Sequence, residues 1–315
     1  VMEYRKLGKT DLNVSRLSYG ASPLGSVFRD ISEDDGIKTV HTAIDMGVNL
    51  IDVSPYYGLT KAETVLGKAL KGIPRDKYIL STKAGRYGAE YSDFDFSEKR
   101  IRSSLDESLS RLGVDGVDIL FLHDIEFGHL GQIFDEALPC LQALKQEGKV
   151  RYIGVTGYPL KMFSETIKVA DIDCILTYCR YALYDNSLAN IIPDLEAKGV
   201  GIINASPTGM GLLTNRGAPE WHPGNQQLFD ACHKAVTLCQ SQGVDITEVA
   251  LQYAIDHPAI SSTLVGTANP VNIVKNIEWA EKPANQLLVQ DIRKLFDKVP
   301  VIWPSGYPEN QDVQV

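Results

Sequence analysis

The 315-residue sequence predicts a (β/α)8 barrel, on three observations. Eight short apolar runs alternate with amphipathic stretches, the pattern of a parallel sheet faced by helices. The units fall within ~250 residues and no low-complexity linker separates them, so one barrel domain spanning 1–315 accounts for them. No GxGxxG follows the first run: the glycines at 20 and 25 are too far apart and open no helix, which weighs against a doubly wound dinucleotide-binding sheet.

Residues 3–17 hold two short alternating runs around Gly8-Lys-Thr-Asp11, the signature of a β-hairpin. Leu17-Ser-Tyr-Gly20 is the first barrel strand and ends in the loop Ala21–Gly25. Ser32 caps an acidic helix start that runs to the stop at Gly47. The next strand is Val48–Ile51, and Lys61–Leu70 has helical spacing. Tyr78–Lys83 is a strand, and Ser97 caps a helix through Leu112 that Gly113 stops. Val117–His123, Tyr152–Thr156, Cys174–Tyr178, Val200–Ala205 and Ser262–Val265 read as strands. Helices fall at 133–147, 159–170, 187–198, 226–242, 245–257, 270–281 and 285–298. A loop rich in Gly, Pro and Thr covers 206–225.

The formal net charge is −9 and there is no block of Lys or Arg, which argues against nucleic acid or an anionic membrane as partner. No stretch reaches the ~18 apolar residues of a membrane span, and the N-terminus has no apolar leader, so a soluble, unsecreted protein is expected. The five cysteines are odd in number and form no CxxC, which argues against a disulfide framework or zinc site and fits reduced thiols in the cytosol. No oligomer-specifying patch is legible, so the sequence leaves the oligomeric state open, a monomer being compatible with it.

Strand C-termini of a barrel meet over one mouth. Here those ends are Gly20, Asp52, Lys83, His123, Thr156, Tyr178, Ala205 and Val265. Asp52, Lys83 and His123 are ionisable and stand at consecutive ends, with Tyr56 and Tyr57 just beyond Asp52. This set supports proton transfer. A free tyrosine titrates near ~10, and a nearby ammonium favours tyrosinate, so a lowered tyrosine pKa is expected. An aspartate keeps that lysine charged, and a histidine orients a substrate oxygen. By this reasoning either tyrosine serves as the acid/base. Each residue alone has a plainer reading as a cap, a solvated side chain or a packed aromatic.

Six stretches then carry a resemblance to the aldo-keto reductase family over nearly the whole chain. They are Gly8–Ser15, Asp52-Val-Ser-Pro-Tyr-Tyr-Gly58, Lys83 after Ile-Leu-Ser-Thr, Leu122-His-Asp124, Gly148–Val155 and Ser206-Pro-Thr-Gly209. The resemblance implies that Tyr57 moves the proton, that Lys83 and Asp52 tune it, that His123 orients the substrate, and that Tyr56 packs. It also implies a nicotinamide dinucleotide across the mouth, held by Gly20, Ala21, Ser22, Asp52, Thr156, Tyr178, Ser206, Thr208, Gly209, Gly211, Gly266, Thr267, Asn272 and Asn276.

Three departures stand out. Ala205 replaces the aromatic that stacks on the nicotinamide in many members, and Tyr178 is a candidate substitute. NADP-preferring members often place Lys where Gly266 stands and Arg where Asn272 stands; both cations are missing, so NAD is expected over NADP. Within the family, the wording around Asp52–Leu70 and Leu122-His-Asp-Ile-Glu126 is most similar to plant members that oxidise L-galactose at C1 in ascorbate synthesis. Substrate contacts are then expected from Ser22, Tyr57, His123, Asp124 and the loop residues Trp221 and His222, the last two alternatively packing a lid. A polyol fits these polar loops better than a lipid. Rival readings are an NADPH-dependent carbonyl reductase, a dehydrogenase of another aldose or of pyridoxal, and a cofactor-sensing channel subunit.

Overall fold

A computed structural model describes residues 1–312. Its centre is a closed barrel of eight parallel strands. In chain order they are β3 (Leu17–Gly20), β4 (Leu50–Asp52), β5 (Ile79–Ala84), β6 (Val117–Leu122), β7 (Val150–Gly157), β8 (Cys174–Tyr178), β9 (Gly201–Ala205) and β10 (Ser262–Val265), and β10 closes on β3. The strands are nearly unbroken apolar runs because a parallel sheet is covered on both faces. Leu50, Ile119, Phe121, Leu176, Ile203 and Leu264 fill the barrel interior together with Leu7, Leu12 and Val14.

Those last three come from the hairpin, β1 (Tyr4–Lys6) and β2 (Asn13–Ser15), which stoppers the N-terminal end of the barrel. Gly8 turns the hairpin at φ +51°, and a Cβ there would sit 2.4 Å from the Gly201 nitrogen. Only glycine tolerates both the left-handed conformation and that approach.

The covering helices begin with α1 (Glu33–Asp45), α2 (Lys61–Leu70) and α3 (Glu98–Leu112). Ser32 and Ser97 accept the backbone N–H groups of Asp35 and Arg100, the caps that the sequence predicts. The apolar stripe of α2 buries Val65, Leu66 and Leu70 against the barrel. Each such side chain contributes roughly 1.5–3 kcal/mol relative to exposure.

The predicted helix over 133–147 is interrupted. A helical turn α4 (Leu130–Gln132) passes through a π-turn (Ile133–Ala137) into α5 (Leu138–Gln146). Pro139 is the cause: it has no N–H for the Asp135 carbonyl and its ring crowds that oxygen, so the turn widens. Next come α6 (Lys161–Val169), α7 (Ile192–Ala197), α8 (Gln226–Ser241), α9 (Ile246–Ile255), α10 (Pro270–Ala280) and α11 (Gln286–Lys294). Pro193 confines the predicted 187–198 helix to α7 after a 3-10 turn, and Pro258 ends α9 two residues before the predicted boundary. Residues 206–225 form a loop without regular helix, as predicted. The segment after α11, for which the sequence suggests no element, runs back over the mouth and stacks Trp303 on Tyr158 with ring centroids 4.6 Å apart. Among the described residues no helix is long and apolar enough to cross a membrane.

Candidate active site

All eight strand ends named from the sequence stand around one mouth. Asp52 closes β4, Lys83 lies one residue before the end of β5, and His123 follows β6 directly. Tyr57 comes from the β4–α2 connection, where Gly58 holds φ +64° and a Cβ would lie 2.2 Å from the Gly25 carbonyl oxygen. Two mouth loops are thus pressed together directly beside Tyr57.

Lys83 is 1% exposed, and its three ammonium protons are all used. Nζ donates to Asp52 Oδ2 at 2.6 Å, to the Val53 carbonyl at 3.0 Å and to Tyr57 Oη at 3.0 Å. The other Asp52 oxygen accepts Ser81 Oγ at 2.7 Å. Burial opposes the Lys83 charge, but Asp52 and then Tyr57 more than offset it, so the ammonium titrates above its ordinary range. Because Lys83 fills a lone pair of the Tyr57 oxygen, the phenolic proton must point elsewhere. The sequence-based expectation of a lowered tyrosine pKa is not met: burial raises Tyr57, and the Lys83 charge only partly reverses that.

His123 packs edge-on to Tyr57, with ring centroids 5.7 Å apart. Burial pushes it down to about 3, with Lys83 and Arg86 adding to that and Asp124 opposing it. The imidazole is neutral at working pH, and its buried Nδ1 has no partner among the described residues. Nε2 lies 3.6 Å from Asp124 Oδ2, too far for a hydrogen bond. Nε2 is not among the enclosed atoms, so it is the ring nitrogen open to an oxygen beside Tyr57.

The residue pattern of a known family matches residues 16–297, described as the aldo/keto reductase family. The chain belongs to this family. It is 47% identical to L-galactose dehydrogenase of Arabidopsis thaliana, over 98% of this chain and 99% of that one. It is 34% identical to D-arabinose 1-dehydrogenase of Saccharomyces cerevisiae, over 98% of both chains. Among solved structures, an aldo-keto reductase of Bacillus halodurans in its holo form is similar with a TM-score of 0.80 and 27% identity, covering 99% of this chain and 100% of that one.

The other residues that the family resemblance points to surround the same mouth. Gly20 ends β3, Ala21 follows it, and Ser22 opens a short 3-10 turn. Two strands round the barrel from them, the chain after β9 coils through left-handed positions at Ser206, Gly209, Met210 and Gly211 (φ +54°, +68°, +57° and +102°). Among the described residues the backbone N–H groups of Thr208, Met210 and Gly211 find no acceptor. Such a coil is an anion-binding concavity, and it suits the pyrophosphate of a dinucleotide. Gly266 lies close under Pro23, and a Cβ there would meet that ring at 3.1 Å. Thr267 is tied by its carbonyl to Tyr19 Oη at 2.7 Å. Asn272 and Asn276 lie on α10, whose cap Asn269 accepts the N–H groups of Val271 and Asn272. The donor set, the open coil and the unpartnered His123 fit a nicotinamide dinucleotide.

Several of these residues also make contacts within the protein. Asp124, expected to touch substrate, is buried and binds Arg86 Nη1 at 2.6 Å, while Thr156 Oγ1 accepts the Asp124 N–H at 2.9 Å. These two residues therefore brace the mouth. His222 is buried and bonds the Gly209 carbonyl at 2.8 Å, which anchors the 206–211 coil. Trp221 is 52% exposed and rests on Phe28, with centroids 5.9 Å apart. Tyr178 packs against Tyr158 at 5.4 Å.

Sequence reasoning missed two ionisable groups at the mouth. Arg86 lies over the Tyr56 ring at 4.0 Å. Glu126 is fully buried, and burial followed by the nearby Asp124 charge pushes it up to about 8. Its Oε2 accepts Tyr158 N and Ser305 Oγ at 3.1 and 2.8 Å, and its backbone carbonyl accepts Tyr307 N and Asn310 Nδ2. Neither group marks a strand end. The one available signal was the nearness of Arg86 to Lys83, three residues on.

Proposed function

We propose that the protein is an NAD-dependent aldose 1-dehydrogenase that oxidises L-galactose at C1 to its lactone. The Lys83–Tyr57 contact carries the reaction type. The full-length likeness to L-galactose dehydrogenase supports the substrate. The cofactor, when bound, supplies the acceptor for the hydride that leaves C1.

The chain's own residues manage the proton. The Lys83 ammonium at 3.0 Å assists Tyr57 in releasing its phenolic proton to solvent, and the phenolate Oη then takes the C1 hydroxyl proton as the carbonyl forms. Asp52 holds Lys83 charged and in place, and Ser81 holds Asp52. Neutral His123 positions the reacting oxygen without competing for its proton.

NAD is the preferred cofactor. Neither Gly266 nor Asn272 brings a cation, and Pro23 leaves Gly266 little room for a larger side chain. The cap Asn269 already occupies the first N–H groups of α10, so they are not free for a 2′-phosphate. Lys275, the nearest cation along that segment, is exposed. A cytosolic setting is part of the reading, supported by five buried, unpaired cysteines.

The test is the rate of reduction of NAD and NADP across L-galactose, L-fucose, D-arabinose and pyridoxal. L-galactose with NAD is expected to show the highest kcat/KM. A higher value for D-arabinose or pyridoxal would replace the substrate, and equal or better use of NADP would replace the cofactor.

A further inference from the structure

Beyond Lys83, the mouth holds a second buried cation that the proton chemistry does not use. Arg86 follows β5 through Gly85, which stands at φ +106° with Phe96 so close that a Cβ would meet it at 2.3 Å. The turn throws Arg86 back over the mouth, where its side chain is only 15% exposed. Tyr56, Phe94 and Phe127 hold the guanidinium at 4.0, 5.0 and 5.3 Å from their ring centroids. Nη1 donates to Asp124 Oδ2 at 2.6 Å and Nε to the Gly88 carbonyl at 3.1 Å. Asp124 is itself fixed through Thr156 and lies 3.6 Å from His123 Nε2. Three aromatic rings and two acceptors thus immobilise a cation that adjoins His123. Nη2 has no acceptor among the described residues, and it is not among the buried atoms left without a partner, so it keeps access to solvent.

We propose that Arg86 is a substrate-binding residue whose Nη2 donates to a hydroxyl oxygen of the sugar remote from C1, with Asp124 and Tyr56 holding the guanidinium for that contact. The proposal rests on the aldose dehydrogenase reading and adds the group that selects the substrate. A fork already ordered by one carboxylate loses little freedom on accepting a second partner. The charges also balance locally: Lys83 pairs with Asp52 and Arg86 with Asp124. No uncompensated cation remains for a phosphate or carboxylate, so the ligand class is a neutral polyol rather than a sugar phosphate or a uronate.

The experiment compares kcat and KM of the wild type, Arg86→Lys and Arg86→Met on L-galactose and its 2-, 4- and 6-deoxy analogues. NAD binding is titrated in parallel to show that the mouth remains intact. Arg86→Lys keeps a cation for Asp124 but has no second arm, so it remains informative even if Arg86→Met folds poorly. The wild type is expected to disfavour one deoxy analogue by roughly 10- to 100-fold in kcat/KM, as a charge-assisted hydrogen bond implies. Both variants are expected to bind NAD normally, to lose a similar factor on L-galactose, and to treat that analogue and L-galactose alike. A merely structural Arg86 would lower all sugars together and leave the discrimination unchanged. That result, or a wild type indifferent to every deoxy analogue, overturns the assignment. A wild type that oxidises no aldose overturns the functional reading itself, a separate and recognisable outcome.

Discussion

Lys83 has no spare proton, and each of its partners has a different dependence on it. Removing the ammonium leaves Asp52, 3% exposed, as a buried carboxylate with only Ser81 for company. Lys83→Met is therefore expected to destabilise the fold by roughly 3–5 kcal/mol as well as to abolish turnover. Urea unfolding measures the first effect, and an unchanged midpoint would show that the pair is not held as described. The imidazole gives a prediction in pH. With His123 pushed down to about 3, it is already neutral throughout the range where a free histidine titrates. Tyr57, raised by burial, is protonated in the same range. The oxidation kcat/KM should thus climb with pH as the phenol becomes easier to ionise, without a break between about pH 5 and 8. A limb near the ordinary histidine pKa would contradict the neutral imidazole. Asp52, Lys83 and His123 were legible because strand ends are legible. Choosing Tyr57 over Tyr56 rested on resemblance, and the structure supplies the physical difference: Lys83 reaches the Tyr57 hydroxyl while Arg86 lies on the Tyr56 ring.

At the level of elements, sequence periodicity located the strands and α1, α2 and α3 closely, with side-chain caps and glycine stops marking α1 and α3 and apolar spacing alone marking α2. It failed where proline acts inside a helical pattern, at the π-turn before α5 and at the start of α7. It was also silent about the segment after α11, whose role depends on a partner far along the chain. That partner is Glu126, which receives Ser305, Tyr307 and Asn310. Its folded pKa of about 8 lies above the ordinary 4.5. The folded state therefore binds more protons than the unfolded one between those values, so this group costs stability as pH rises through that window. Below it the cost is absent, and above about pH 8 it is constant. Glu126→Gln resembles the protonated form. Its thermal midpoint relative to wild type should rise steadily between about pH 5 and 8. Parallel curves for the two proteins would show that Glu126 is not strained by its burial.

For the molecule as a whole, the barrel separates stability from chemistry. The hairpin and the interior cluster around Leu7, Leu50 and Phe121 fill one end, and the mouth gathers side chains from strand ends far apart in sequence. Long-range assembly of this kind explains why Arg86, Asp124 and Thr156 were not readable as a unit: no local spacing links them. It also makes ligand binding a whole-fold event. A cofactor present at a hundred times its dissociation constant adds about 2.7 kcal/mol to stability. Thermal melts at equal NAD and NADP concentrations should show the larger upward shift with NAD, and a larger shift with NADP would remove the argument from Gly266, Asn269 and Asn272. Whether Tyr57, set by Lys83, moves the proton is decided by NADH formation from L-galactose in Tyr57→Phe beside wild type, with NAD binding titrated in both. Unaltered NAD binding and a fall in kcat of about 10²–10⁴ are expected; turnover at the wild-type rate would exclude Tyr57 as the proton carrier.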